Sequence, residues 1–79
     1  MGENLKFRYD RTADILYIDK VKPYASQETE ELDDDIIVRL NPETEDIENI
    51  EVLFFSTRLL RSDLFEIPVI AKLHLPLAG

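Results

Sequence analysis

The feature that most constrains the fold is the run Ile15-Leu16-Tyr17-Ile18, closed off by Asp14 before it and Asp19 after it. Unbroken and rich in β-branched and aromatic side chains, it reads as a strand covered on both faces, and so placed in the middle of a sheet. Its neighbours alternate instead. Leu5, Phe7 and Tyr9 fall on one side of an extended segment and Lys6 and Arg8 on the other, the pattern of a half-buried strand. In the same way Ile36, Val38 and Leu40 face inward from Ile36 to Leu40. From Ile47 to Phe54, the residues Ile50, Val52 and Phe54 oppose Asn49 and Glu51. Gln27 to Leu32 is polar, with Leu32 as its one aliphatic anchor, which suits an edge strand or one facing water.

The connections carry turn chemistry. Asp10 heads a turn to Ala13, where its carboxylate accepts a bond from backbone two residues on. Lys20 to Ser26, with Pro23 inside it, is a loop; Asp33-Asp34-Asp35 turns the chain; Asn41-Pro42 starts another turn. Ser56 is placed as a helix N-cap, with Phe55 and Leu60 spaced as a hydrophobic staple. The helix, Thr57 to Ser62, stops before Ile67-Pro68, because proline excludes itself and its predecessor from helical geometry. These elements make an α+β domain: an antiparallel β-meander of about five strands, one short helix on one face, and an extended apolar tail. The meander and helix occupy 1–63 and the tail 64–79.

A chain of 79 residues is one small domain, which buries little more than ~60% of its unfolded surface. With no cysteine, neither a disulfide nor a thiolate metal site reinforces it, which leaves self-association. The tail sharpens the point. Ten of its sixteen residues from Leu64 to Gly79 are apolar, and Pro68 and Pro76 break any helix. Val69, Ala71, Leu73 and Leu75 share one side of an extended chain, an aggregation hazard unless covered by the protein's own core, a second copy or another protein. The expected contact residues are Leu59, Leu60, Phe65, Val69, Ile70, Leu73 and Leu75.

Charge is as uneven as hydropathy. The net charge is −8, yet residues 1–22 carry five bases and four acids, whereas residues 23–51 carry eleven acids against Arg39 alone. Such a face repels a phosphate backbone, so nucleic acid is excluded as a partner, and it attracts a basic one. It also serves as a plain solubilising edge. The N-terminal residues lack the apolar block of a signal peptide and no run approaches the ~18 residues of a membrane span, so the expected compartment is the cytoplasm.

Catalytic chemistry finds little support. His74 is the one histidine and has no cysteine to share a zinc site with. Ser26 and Ser56 have no nucleophile-elbow setting, and with Gly2 and Gly79 the only glycines there is no phosphate-cradling loop. Glu30, Glu31 and Asp33 to Asp35 supply oxygen ligands, but Val38 stands where a calcium loop needs glycine. Exposed acids in such numbers form a solvated face rather than a tuned acid–base pair. Tyr17 is read as a core aromatic with its hydroxyl at the rim, or as a pocket wall; Tyr9 and Tyr24 leave the same choice open. Arg58 and Arg61 are read as surface residues that pair with the acidic hairpin across a dimer.

Taken in order, Tyr9-Asp10, Ala13 to Ile18, Glu28 to Asp34, Ile36-Ile37-Val38, Ile47, Ile50 to Leu53, Ser56 and Arg58-Leu59 resemble the small prokaryotic proteins grouped as domain of unknown function 2283. The resemblance runs from Leu5 to Leu60. It implies a β-meander followed by a helix and, for members beside a small toxin-like protein, an antitoxin-like role; it implies no catalytic residues. Members often carry glycine where Asp35 stands, and again in the next hairpin, where this chain has Asn41 to Asp46. The expectation is therefore a non-catalytic, homodimeric interaction module without cofactor or metal, antitoxin-like toward a small basic protein. The alternatives are a purely structural self-assembling domain, or a small ligand-binding domain or enzyme with a pocket between sheet and tail.

Overall fold

The computed structural model describes residues 4–61, 66–70, 73 and 75. Among them the chain forms five strands and one helix: β1 Lys6–Asp10, β2 Ile15–Asp19, β3 Glu28–Asp33, β4 Ile36–Leu40, β5 Ile47–Leu53 and α1 Phe55–Arg61. All pairings are antiparallel, in the order β1-β2-β5-β4-β3. The chain meanders through β1 and β2, crosses to the far edge, and meanders back through β3, β4 and β5 until β5 lies against β2. The α+β architecture expected from the pattern is thus present. The middle position, however, belongs to β5 and not to the Ile15–Ile18 run. β2 has a neighbour on each side but is half-buried throughout, while β4 and β5 hold the fully buried Ile36, Val38 and Val52.

Cross-strand register sorts the side chains into two faces. Phe7, Ile18, Ile50 and Val38 form one apolar row, and Tyr9, Leu16, Val52 and Ile36 the next. The opposite face is polar, with rows Arg8-Tyr17-Glu51-Ile37-Glu31 and Lys6-Asp19-Asn49-Arg39-Thr29. Tyr17 therefore leaves the apolar core and lies half-buried on the polar face, under the Arg8 guanidinium at 4.0 Å from the ring centroid. That cation–π contact explains a tyrosine here better than a core or pocket role. β1 is not half-buried as its alternation suggested: Phe7 is 64% exposed, because this strand is the sheet's edge.

Turn chemistry follows the local sequence closely. Asp10 Oδ1 accepts the Thr12 and Ala13 amides at 3.0 and 3.1 Å, and Asn41 Oδ1 those of Glu43 and Thr44 at 2.8 and 3.1 Å. Without interior glycine, the left-handed positions fall to Asp14, Asp35, Glu45 and Phe54, with φ of 58°, 60°, 63° and 54°. Asp35 adopts that conformation in the β3–β4 turn, and aspartate tolerates it better than most residues.

The helix start corrects the sequence reading. The first intrahelical bond runs from Arg58 N to the Phe54 carbonyl, so Phe54 is the N-cap and Ser56 lies inside the first turn. Phe54 follows β5 at φ 54°, a costly value for a bulky residue, and is exposed rather than inward-facing. Capping comes instead from Asp14, 42 residues upstream. Its carbonyl accepts the Phe55 amide at 3.1 Å, and its carboxylate accepts the Ser56 amide at 3.0 Å and hydroxyl at 2.8 Å. No staple forms: Phe55 packs against Tyr9, ring centroids 6.0 Å apart, and Leu60 is 87% exposed.

Candidate functional site

At the end of the sheet where the β1–β2 and β3–β4 turns meet α1, a cleft of about 440 Å³ opens on the polar face. Ile37 and Leu53 line it with Glu31, Asp33, Asp34, Asp35 and Arg58. Four carboxylates thus surround a short apolar floor. The Arg58 guanidinium donates to the Asp34 backbone carbonyl, so this arginine meets the acidic hairpin within its own chain, not across a dimer as its sequence position suggested. The Leu53 amide donates to the Asp35 carbonyl at 2.8 Å and fixes the turn against β5.

Neighbouring strand order concentrates the acidity. β3 is an edge, so Glu28, Glu30 and Glu31 are exposed along it and run into Asp33 and Asp34. Arg39, the one base of residues 23–51, donates to Glu51 at 2.9 Å and neutralises a carboxylate in the sheet's interior rather than this rim. The arrangement suits ammonium or guanidinium side chains arriving from outside. Among the described residues no group of three or more His, Cys, Asp or Glu is arranged to hold a metal ion, and no helix is long and apolar enough to cross a membrane.

The opposite corner of the polar face carries the reverse charge. Lys6, Arg8, Asp19, Lys20, Val21, Lys22 and Pro23 line a second cleft of about 300 Å³. Its four bases are nearly half of the nine in the chain. The mild basic surplus of residues 1–22 hinted at this, but the pairing of β1 with β2 was needed to bring Lys6 and Arg8 beside Lys20 and Lys22.

Two polar junctions hold these surfaces in place. At the first, the Tyr9 hydroxyl donates to Asp14 Oδ1 at 2.6 Å; this bond, with those from Ser56, holds the Asp14 carboxyl below its usual range. At the second, a register shift opposite Arg39 and Leu40 leaves Glu48 without a partner on β4. Its carboxylate accepts from Tyr24 Oη at 2.6 Å, Gln27 Nε2 at 3.0 Å and Asn41 Nδ2 at 3.3 Å. The Tyr24 bond comes first in holding Glu48 low, and the same bond pushes the Tyr24 phenol up to about 12.

A pH dependence follows with a definite sign. A carboxylate whose pKa is depressed by folding stabilises the protein above its unfolded value and loses that contribution as pH falls through the folded one. Stability should therefore hold at neutral pH and decline below the ordinary values of 4.5 for Glu48 and 3.8 for Asp14. Tyr24 has the opposite sign: its contribution is intact below 10 and disappears as pH rises through about 12. Thermal melts by circular dichroism between pH 6 and 2 should show a shallower acid decline in Asp14→Asn and Glu48→Gln than in the parent; equal slopes would refute the assignment.

The residues expected to make contacts are placed as follows. Leu59, Leu60, Ile70, Leu73 and Leu75 are exposed, at 49%, 87%, 102%, 83% and 91%, and Val69 is half-buried. Phe65 and His74 lie outside the described residues, as does the Arg61 side chain. Ile70, Leu73 and Leu75 do not cover the sheet.

No curated protein and no solved structure matches the chain. A family model described as "Protein of unknown function (DUF2283)" matches residues 6–56, about two thirds of the length. It spans all five strands, the crossover and the start of α1, and so the framework that positions both clefts. On that match the chain belongs to the DUF2283 family.

Proposed function

We propose that this chain is a non-catalytic, homodimeric protein–protein interaction module that takes up a small basic protein, in the manner of an antitoxin. The observation that carries the reading is the set of large aliphatic side chains left in water: Leu60, Ile70, Leu73 and Leu75 are each more than four-fifths exposed in a domain of this size. Exposed aliphatic side chains that gather into one patch mark an interaction surface. With Leu59 and Val69 they supply the apolar part of the contact. The acidic rim of Glu28, Glu30, Glu31, Asp33 and Asp34 supplies selectivity and fast encounter, since complementary charge acts chiefly on association rate.

The test first asks whether a small basic protein is encoded beside this chain, and then uses that protein with the purified full chain; a neighbourhood that encodes none would count against the antitoxin-like form. Light scattering should report a dimer at micromolar concentration. Reversing Glu30 and Glu31 to lysine should slow association with the basic protein by about tenfold at low salt and flatten its salt dependence, leaving the fold intact. A neighbouring basic protein that binds the reversed and parent chains equally well would remove the charge-selected form of the proposal.

A further inference from the structure

Among the described residues the antiparallel sheet ends at β1 and β3 with no further strand beside either; an open edge invites a second copy, and these two differ in what they allow. Along β3, carboxylates occupy Glu28, Glu30, Glu31 and Asp33, so two such strands brought together align acid against acid. β1 reads Lys6-Phe7-Arg8-Tyr9-Asp10: base, aromatic, base, aromatic, acid. We propose that two copies join through β1 in antiparallel register centred on Arg8, so that the sheet continues across the dyad. This rests on the homodimeric reading above, names where the dimer forms, and leaves the tail and acidic rim for the basic partner.

The register is self-complementary. With Arg8 on the two-fold axis, Lys6 stands opposite the second copy's Asp10, and Phe7 opposite its Tyr9, each pair occurring twice. Both pairings keep side chains on matching faces: Lys6 and Asp10 on the polar face, Phe7 and Tyr9 on the apolar one. Opposite charges and aromatic pairs directly across a ladder are the stabilising combinations, and like charges the destabilising one. Sliding by two residues one way sets Lys6 against Arg8. Sliding the other way sets Arg8 against Asp10 but cuts the overlap from five residues of β1 to three and loses both the Lys6–Asp10 and the Phe7–Tyr9 pairs.

Exposure agrees. Leu5, Phe7 and Tyr9 are 49%, 64% and 43% exposed, an apolar strip along the open edge that continues the buried rows of the sheet. The Tyr9 ring is already held by its hydroxyl bond to Asp14 and its contact with Phe55, so pairing costs it little freedom. The two Arg8 residues at the axis are the unfavourable element. Each is drawn back over its own β2, with its guanidinium on the Tyr17 ring and 3.9 Å from the Asp19 carboxylate.

Charge exchange tests this on the full chain by analytical ultracentrifugation. Lys6→Glu alone, and Asp10→Lys alone, should each raise the dimer dissociation constant by about tenfold or more, because each sets like charges opposite twice. An equimolar mixture of the two variants should dimerise again, since both contacts then pair acid with base. Asp10 also holds the β1–β2 turn, so a second experiment avoids it. Directly opposed residues of an antiparallel pair lie within disulfide reach, and the chain has no cysteine of its own. Arg8→Cys should give a covalent dimer under mild oxidation, and a Glu43→Cys control, exposed in the β4–β5 turn, should not. A parent dimer unmoved by Lys6→Glu, with no crosslink through Arg8→Cys, would place the interface elsewhere and overturn the β1 proposal while leaving the module reading standing. A parent monomer at micromolar concentration would overturn both.

Discussion

Ile36→Ala is expected to destabilise the domain by about 2–5 kcal/mol, the usual cost of emptying a buried aliphatic site that cannot fully collapse. A chain of 79 residues has a total stability on the order of 4–12 kcal/mol, so this one change removes a large share and in the worst case all of it. Ile36 is wholly buried at the start of β4, opposite Val52, which is wholly buried too. The informative control is the next residue. Ile37 undergoes the same chemical change but stands half-buried on the polar face between Glu51 and Glu31. Ile37→Ala should cost about 1 kcal/mol or less, since a site open to water leaves no cavity behind. Urea unfolding followed by circular dichroism measures both. Equal losses would mean that the two faces of the sheet have been assigned wrongly.

That comparison also marks what a linear pattern conveys. Ile36 and Val38 announced their burial because they share one side of an extended segment with Leu40 while Arg39 takes the other, a property of a few adjacent residues. β5 concealed its central position, since Glu48, Asn49 and Glu51 look like the residues of an exposed strand. Their partners, Tyr24 and Gln27, Asp19, and Arg39, come from elsewhere in the chain, and no period in β5 itself reveals them. The helix cap was misplaced for the same reason. Ser56 carries the right group at the right spacing, but Phe54 holds the cap position, and Asp14 of the β1–β2 turn satisfies the free amides, Phe55 through its carbonyl and Ser56 through its carboxylate. The acidic character of residues 23–51 was legible, because a charge count needs no fold. That the acid gathers on one edge and four bases on the opposite corner required the strand order, which the crossover between β2 and β3 decides.

Asn49→Asp is expected to be the most damaging isosteric change in the chain. Asn49 is 2% exposed, and its amide works in both directions. Nδ2 donates to Asp19 Oδ1 at 2.9 Å and to the Val21 carbonyl at 2.6 Å, while Oδ1 accepts from Gln27 Nε2 at 2.8 Å. Gln27 in turn accepts the Tyr24 amide at 3.2 Å, so the pair ties both ends of the 20–27 crossover to the middle strand. A carboxylate at position 49 keeps the bond from Gln27 but has nothing to donate, and it sets a second negative charge beside Asp19. A buried charge without compensation costs about 3–5 kcal/mol, against about 1–3 kcal/mol for Asn49→Ala, which only leaves polar groups unpaired. The two variants separate by pH. Burial and the Asp19 charge raise the pKa of the new carboxyl in the folded state, so its penalty is present at neutral pH and is relieved as pH falls and it takes up a proton. Asn49→Asp should regain stability relative to the parent on mild acidification, and Asn49→Ala should not. Hydrogen exchange should show amides of residues 20–27 opening before those of β4 in both variants. A neutral-pH melt of Asn49→Asp within a degree or two of the parent would mean that the crossover is held by something other than this amide, and the strand order that gathers the acidic edge would lose its anchor.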